Sequence, residues 1–372
     1  MVLRAPPAER FPAVREGRHS LISRLGSAAV RVVLIGGGVF PIPPPGYGGT
    51  ERFIADLRGA LIAAGHEAIV VNQVRKGRQR DEYPFAWRLP ALLRGLSYDV
   101  LHANSPVVGN RLAGRGLPYV YTSHSRHWYF REQWSHRWGY WLERRAVRRA
   151  AAPIALTARL ARTMAETVGP TRRPVEVIPF GVDLARFRPD WAARTGVRAL
   201  GVGVVAPFKR WEIAATALAG TGVTLTIAGP TPDPAYAARL RGLGPHVTLT
   251  GEVSGDELAR QFAVSDLLVH PSAVELLPGA VVQALAAGLP VLGGPPLEGL
   301  VDAGRTGWIS DDRDPTALVQ QIRGRVIELA ADPGLRRRMG DAARAEAETR
   351  FSWPSVVDRY VAVYRAVAAG AG

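Results

Sequence analysis

Residues 266–294 read DLLVHPSAVELLPGAVVQALAAGLPVLGG. Leu267 to His270 is an apolar run of strand length, and Pro271-Ser272 breaks it. Glu275 follows in a loop, and Pro278-Gly279 is where a helix can start. Ala280 to Ala287 are good helix formers apart from two valines, Gly288 is a C-terminal stop, and Leu289 to Leu292 make the next strand. Strand, loop, helix, stop and strand in this order are the unit of a parallel α/β sheet. A helix beginning at Gly279 presents unpaired N–H groups and a positive dipole end, a geometry that binds phosphate. Glu275 ahead of it and Gln283 on it, with seven residues between them, put two polar side chains beside such a phosphate. An ordinary βαβ unit with a solvated Glu and Gln fits the same residues.

The same alternation runs outward in both directions. Arg31 to Ile35 (RVVLI) is a buried strand, followed by Gly36-Gly37-Gly38. Pro41 stands where a dinucleotide fingerprint needs its last glycine, so a Rossmann NAD site is rejected. After PIPPPGYGGTE an amphipathic helix is expected from about Thr50, a candidate N-cap, to Ala64. Gly48 and Gly49 either let backbone N–H groups approach a ligand or make a tight strand-to-helix turn. Ala68 to Val71, Val100 to His102 and Pro118 to Thr122 are the next strands. His102 and His124 both fall at carboxyl ends of strands, where such folds bind ligands, although a packed bystander fits a single His equally well.

In residues 124–149, HSRHWYFREQWSHRWGYWLERRAVRR, the residues Trp134, Trp138 and Trp141 fall on one helix face flanked by arginines. Packing of that face on its own sheet is the first expectation, and an acceptor-binding or membrane-interface face is the alternative. Ile154 to Leu156, a helix over Ala158 to Val168, and Val175 to Pro179 lead to FGVDLARFRPD, whose loop composition marks a domain boundary.

A second alternating set follows: Ala199 to Val205, a helix over Trp211 to Leu218, Val223 to Ala228, Val247 to Thr250 and a helix over Asp256 to Ala263. Beyond the opening stretch come a short strand at Trp308-Ile309 and two closing helices, Asp314 to Ala331 and Pro354 to Ala368. The expected fold is α/β, two tandem Rossmann-like doubly wound domains with an interdomain cleft. Residues 1–29 are expected as a disordered extension or a start placed too early, 30–187 and 188–352 as the two domains, and 353–372 as a separate C-terminal helix.

Composition narrows the partners. The 372 residues suit two α/β domains, and 47% hydrophobic content is enough for real cores. No apolar run is long enough to span a bilayer, and the N-terminus has no apolar signal region, so a cytoplasmic location is expected. The absence of cysteine excludes disulfides, Cys-ligated zinc and thiol catalysis. The charge of +15 is carried almost wholly by arginines spread along the chain, with only Lys76 and Lys209 as lysines. That spread argues against a nucleic-acid-binding arm and leaves attraction to a polyanionic ligand or an anionic membrane open. A lysine at 209, in the loop VAPFKR after a strand, suggests a compact ammonium needed for a phosphate, though two lysines are few.

Taken together these motifs resemble the GT-B-fold glycosyltransferases of family 4, the retaining, nucleotide-sugar-dependent class. The likeness runs from about Arg31 to Arg365. It rests on GYGGTER at Gly46 to Arg52, DVLH at Asp99 to His102, YTSH at Tyr121 to His124, VIPFGVD with Phe187 after it, and the glycine-plus-lysine loop before Arg210. LTIAG at Leu225 to Gly229, TGEV at Thr250 to Val253 and the E-x7-E-like segment with ALAAGLPVLGG complete it.

The resemblance implies a donor in the C-terminal domain and an acceptor in the N-terminal one. Lys209 and the backbone N–H groups around Pro278 and Gly279 would hold the donor diphosphate, Glu275 the donor sugar, and Gln283 the ribose. Gly251 and Val253 would flank the base, Gly48 and Gly49 would lie near the phosphates, and His124 near the anomeric carbon. Glu51, His102 and Trp128 would stand on the acceptor side, and the last helix would cross back to the first domain. His124, Glu275 and Lys209 would be the catalytic set, with no metal required, since the chain is read as holding no Asp-x-Asp motif and Lys209 with the helix end can do the ion's work.

Two positions depart from the family pattern. Val204 stands where an arginine usually meets the diphosphate, and Gln283 replaces the second glutamate. Arg210 is one candidate to make good the missing charge. The function implied is transfer of a hexose-type sugar from a nucleotide-diphosphate-sugar to a carbohydrate, lipid-linked or small-molecule acceptor with retention of configuration. A weakened or non-catalytic nucleotide-sugar-binding relative is the alternative. Peripheral contact at the inner face of the membrane is compatible with either.

Overall fold

A computed structural model describes residues 29–44, 48–74, 77–78, 81–124, 126–130, 132–194, 196–275 and 278–370. Residues 1–28 of the expected N-terminal extension, Gly46-Tyr47 of the GYGGTER motif and Leu276-Leu277 lie outside the described residues.

The chain alternates strand and helix twice over. The first set is β1 (Arg31–Ile35), α1 (Gly49–Ala63), β2 (Glu67–Val71), α2 (Glu82–Leu92), β3 (Val100–Ala103), α3 (Pro106–Ala113), β4 (Val120–Thr122), α4 (Trp134–Arg149), β5 (Ala152–Ala155), α5 (Ala158–Val168) and β6 (Glu176–Val177). The second is β7 (Arg198–Val202), α6 (Trp211–Leu218), β8 (Thr224–Ala228), α7 (Pro234–Arg241), β9 (Val247–Gly251), α8 (Gly255–Val264), β10 (Leu267–His270), α9 (Gly279–Ala286), β11 (Val291–Gly293), β12 (Gly307–Ile309), α10 (Pro315–Ala331), α11 (Pro333–Arg350) and α12 (Trp353–Ala369).

The strands form two parallel sheets, ordered β2-β1-β3-β4-β5-β6 and β12-β11-β10-β7-β8-β9. Near-continuous apolar runs such as Val32 to Ile35 and Leu267 to Val269 are buried on both faces, as a sheet covered by helices on both sides requires. In each sheet the strand order reverses once, between β1 and β3 and between β7 and β10. A reversal opens a crevice at the carboxyl ends of the two strands, because their following connections leave to opposite sides.

Val182 and Phe187 pack into the apolar cluster beneath the second sheet, where Phe187 meets Phe262 edge-on with ring centres 5.5 Å apart. Val182 N donates to Phe351 O at 2.7 Å, so the outgoing and returning links run side by side. After them α12 returns to the first domain: Val356, Val357, Tyr360, Val361, Tyr364 and Val367 share a cluster with Val32, Leu34, Phe53 and Ile54. Leu156, just past β5, shares a cluster with Leu297 and Leu300, just past β11, and Arg162 bonds Glu298 at 2.6 Å. The segments beyond the carboxyl ends of the two sheets therefore meet along one border.

Three local expectations change. Thr50 is not the N-cap of α1; Gly48 holds that position with no side-chain bond, and Thr50 lies in the first turn. Three helices close the chain rather than two. Asp332 ends α10 and also caps α11, its Oδ1 accepting from Leu335 N at 2.8 Å with Pro333 at the first helical position. The tryptophan stripe of α4 does not pack on its sheet. Leu142, Glu143, Ala146 and Val147 do, and Trp134, Trp138 and Trp141 are 83%, 61% and 47% exposed.

Candidate active site

At the β7/β10 reversal two loops converge. One runs from Gly203 to Arg210, the other from Pro271 to Glu275. Lys209 Nζ donates to Glu275 Oε1, and both side chains are largely shielded from solvent. Gly203 makes room for this pair: its φ is +146°, and a Cβ there would stand 3.3 Å from Lys209 Cε. His270 is buried with its Nε2 3.2 Å from the same Glu275 oxygen. Burial pushes the Glu275 carboxyl up, but His270 and then Lys209 more than reverse this and hold it at about 2. Glu275 is therefore a carboxylate with one oxygen fixed by a cation, and among the described residues the other has no hydrogen-bond partner.

Next to this pair α9 begins. Pro278 supplies neither an N–H nor a capping side chain, and a Cβ added at Gly279 would meet nothing within 4 Å among the described residues. Val281 N donates to Pro278 O at 2.9 Å, and among the described residues the Gly279 and Ala280 N–H groups have no acceptor, an arrangement near a lysine that attracts phosphate. Gln283 is half-buried on the same helix. Gly251 ends β9 at φ +74° with Val253 half-buried after it, on the far side of β8 from β7.

The departures have structural consequences. Val204 offers only its carbonyl, which accepts from Trp211 Nε1 at 3.0 Å. Arg210 does not make good the missing guanidinium. It adopts a left-handed backbone (φ 55°) and is clamped away, Nε on Pro271 O at 2.7 Å and a terminal nitrogen on Asp312 Oδ2 at 3.0 Å. The expectation that the chain holds no Asp-x-Asp motif is wrong: Asp312-Arg313-Asp314 has this spacing, by which many sugar transferases hold a cation. Both carboxylates have other work: Asp312 holds Arg210, and Asp314 Oδ1 caps α10, accepting from Thr316 N at 2.9 Å.

In the first domain His124 follows β4 and lies against Phe53 and Phe180, with ring centres 5.0 and 6.0 Å away. Its Nε2 is 3.0 Å from Asn104 Oδ1. The Asn104 amide donates to Ile35 O and His102 O at 3.3 and 3.4 Å, which orients Oδ1 as the acceptor toward His124. Burial lowers the His124 pKa to about 3, so the ring is neutral, with its proton on Nε2 and Nδ1 left as an acceptor.

Glu51 is half-buried in the first turn of α1, beside the Gly48-Gly49 turn, and a Cβ at Gly49 would meet nothing within 4 Å among the described residues. Two acceptor-side expectations fail. His102 is wholly buried, with Nδ1 bonded to Tyr364 Oη and Nε2 to Thr122 Oγ1, both at 2.8 Å. Trp128 is likewise buried, its Nε1 donating to Ser123 Oγ at 2.9 Å. Both are core residues whose polar atoms are taken up inside the domain.

The sequence reading missed Glu82. It opens α2 and accepts from Ser105 Oγ at the β1/β3 reversal; burial pushes its carboxyl up and the Ser105 bond opposes this. Only a polar Asp81-Glu82 pair before an apolar run could have pointed to it. Across the domains, no hydrogen bond or ion pair links His124 with Lys209 or Glu275 among the described residues.

Residues 47–186 match the family model described as Glycosyltransferase Family 4, and residues 208–326 the model described as Glycosyl transferases group 1. The chain is 32% identical to a GDP-mannose-dependent alpha-mannosyltransferase of Mycolicibacterium smegmatis over 75% of its own length and 76% of that protein. It is also 32% identical to a GDP-mannose-dependent alpha-(1-6)-phosphatidylinositol monomannoside mannosyltransferase of Mycobacterium tuberculosis, spanning 49% of this chain and about half, 53%, of that relative. Among solved structures, a sucrose-phosphate synthase from Thermosynechococcus elongatus superposes with a TM-score of 0.76 at 20% identity, covering 92% of this chain and 100% of that one. The sheets, their order and these matches agree: the chain belongs to glycosyltransferase family 4 and is a glycosyltransferase of the GT-B fold.

Proposed function

We propose that the enzyme moves a hexose-type sugar from a nucleotide-diphosphate-sugar to an acceptor hydroxyl with retention of anomeric configuration. The observation that carries this is the meeting of Lys209 and Glu275 at the β7/β10 crevice, beside the uncapped start of α9. Breaking the sugar–phosphate bond leaves charge on the diphosphate and creates an oxocarbenium-like centre. The Lys209 ammonium and the N–H groups at Gly279 and Ala280 stabilise the leaving diphosphate, and such preorganised groups contribute on the order of 10²–10³ in rate. The free oxygen of Glu275 accepts from a donor-sugar hydroxyl, Gln283 reaches the ribose, and Gly251 and Val253 border the base. His124 stands at the anomeric centre as a neutral ring. Gly48, Gly49 and Glu51 form the opposing wall, and Glu82 with Ser105 extends the acceptor side in place of His102 and Trp128.

Lys209 and the helix start supply the positive charge a metal ion would otherwise bring, so we infer transfer without a required metal. The two relatives described above carry GDP-mannose in their names, which makes a GDP-hexose the first donor to test. Incubating the protein with GDP-, UDP- and ADP-sugars and measuring nucleotide release tests the reading. Release from one donor, lost in Lys209→Met, supports it; Lys209→Met with wild-type turnover refutes the site.

A further inference from the structure

The face of α4 that points away from its sheet has an unusual make-up. At 100° per residue, Trp134, Arg137, Trp138, Trp141, Arg144, Arg145, Arg148 and Arg149 fall within an arc of about 140°. The opposite arc carries the buried residues Leu142, Glu143, Ala146, Val147 and Ala150. Trp138 and Trp141 stack with ring centres 5.3 Å apart, and Trp138 Nε1 donates to Tyr83 Oη at 3.2 Å, which joins α2 to the patch. Tyr83 and Trp87 on α2 are themselves 48% and 72% exposed.

Beside the tryptophans, Arg144, Arg145, Arg148, Arg149 and Arg172 line a cavity with Trp141. Among the described residues none of these five arginines forms an ion pair, so their charge is uncompensated at short range. A soluble surface gains nothing from leaving three tryptophans in water, and a duplex backbone needs only the arginines. Indole rings beside guanidinium groups suit the headgroup layer of an anionic bilayer, where the ring enters the interface and the cation meets phosphate. No helix among the described residues is long and apolar enough to cross a membrane, so contact would be at the surface.

We infer that the exposed face of α4, extended by Tyr83 and Trp87, docks the first domain on an anionic lipid bilayer, with phosphate-bearing headgroups entering the arginine-lined cavity. α4 begins ten residues after His124 in the chain, and docking by this face sets the acceptor side of the enzyme toward the membrane surface. The inference does not depend on the transfer reaction, since binding is read without any donor.

The test is co-sedimentation of the full chain with phosphatidylcholine vesicles containing about 30% phosphatidylglycerol, against pure phosphatidylcholine, at about 0.15 M salt. The wild type is expected to sediment with the anionic vesicles only, with a blue shift of tryptophan emission. Trp134→Ser/Trp138→Ser is expected to lose most of the shift, and Arg145→Gln/Arg148→Gln to bind about tenfold more weakly or worse. All four side chains are exposed; a thermal melt confirms the fold, and the arginine pair stands as the independent variant if the tryptophan pair is unstable. Failure of the wild type to sediment with anionic vesicles overturns the inference. So does binding unchanged in both variants, or equal binding to duplex DNA that ignores the tryptophans.

Discussion

His102 shares a 2.8 Å hydrogen bond with the hydroxyl of Tyr364, which ties the middle of the first sheet to the helix that returns from the second domain. Thr122 holds the other ring nitrogen at 2.8 Å. The histidine at a strand's carboxyl end is thus a structural rivet between β3, β4 and α12.

Removing the Tyr364 hydroxyl leaves a buried ring nitrogen without its partner. Tyr364→Phe is expected to lower unfolding free energy by about 1–3 kcal/mol. Urea unfolding measures this, and donor binding by the folded fraction should be unchanged. An unaltered midpoint would show that the bond contributes nothing to the seating of α12.

Acid should weaken the fold before it reaches the ordinary carboxylate range. Burial lowers His102 and His124 from 6.5 to about 3, so below pH 6.5 the unfolded chain takes protons that the folded chain refuses. Stability is then lost progressively between about pH 6.5 and 3. Glu275, lowered from 4.5 to about 2, adds a loss in the same direction below about pH 4.5. Unfolding free energy measured from pH 7 to 5 should fall, and less steeply in His102→Gln. A flat profile in the wild type would contradict the burial of both rings.

Gly181 lies flat against Trp353 where the two links between the domains run together, and a Cβ there would be 2.3 Å from the indole. Gly181→Ala is expected to cost about 1–3 kcal/mol through overpacking. Gly59, on the exposed side of α1, has nothing within 4 Å of an added Cβ, and Gly59→Ala should instead stabilise by about 0.5–1 kcal/mol. Thermal melts of the pair separate crowding at the crossover from a general intolerance of substitution.

Turnover should persist in excess EDTA, because the positive charge on the leaving diphosphate comes from Lys209 and α9. Nucleotide release is the readout. A loss restored by Mg²⁺ or Mn²⁺ would return Asp312 and Asp314 to consideration, with Arg210 as the group displaced.

The fold was legible where local pattern and tertiary demand agree. Leu267 to His270 is apolar throughout because both faces of its sheet are covered, and its bounds follow from Asp266 and Pro271 alone. Asp332-Pro333 reads locally as a break, yet the same dipeptide starts α11, so a stop and a start share one signal. Lys209 and Glu275 could be named singly, but their pairing depends on strand order, since β7 and β10 are neighbours only through the reversal in the sheet. Both histidines follow the same pattern, and packing by α12 decides between them: it covers His102 completely and leaves His124 half-buried. The Arg210 clamp could not be read at all, because its partners Pro271 and Asp312 come from two other loops.

The most direct test of the account is donor binding and turnover in Lys209→Met, which keeps the stem and removes the charge. Calorimetry and nucleotide release would be measured with the best donor from the nucleotide-sugar screen, after a thermal melt shows the variant folded. The account predicts turnover lower by on the order of 10²–10³ with weakened binding of the donor diphosphate. Wild-type turnover in folded Lys209→Met would contradict it, and the donor cradle would have to lie elsewhere in the cleft.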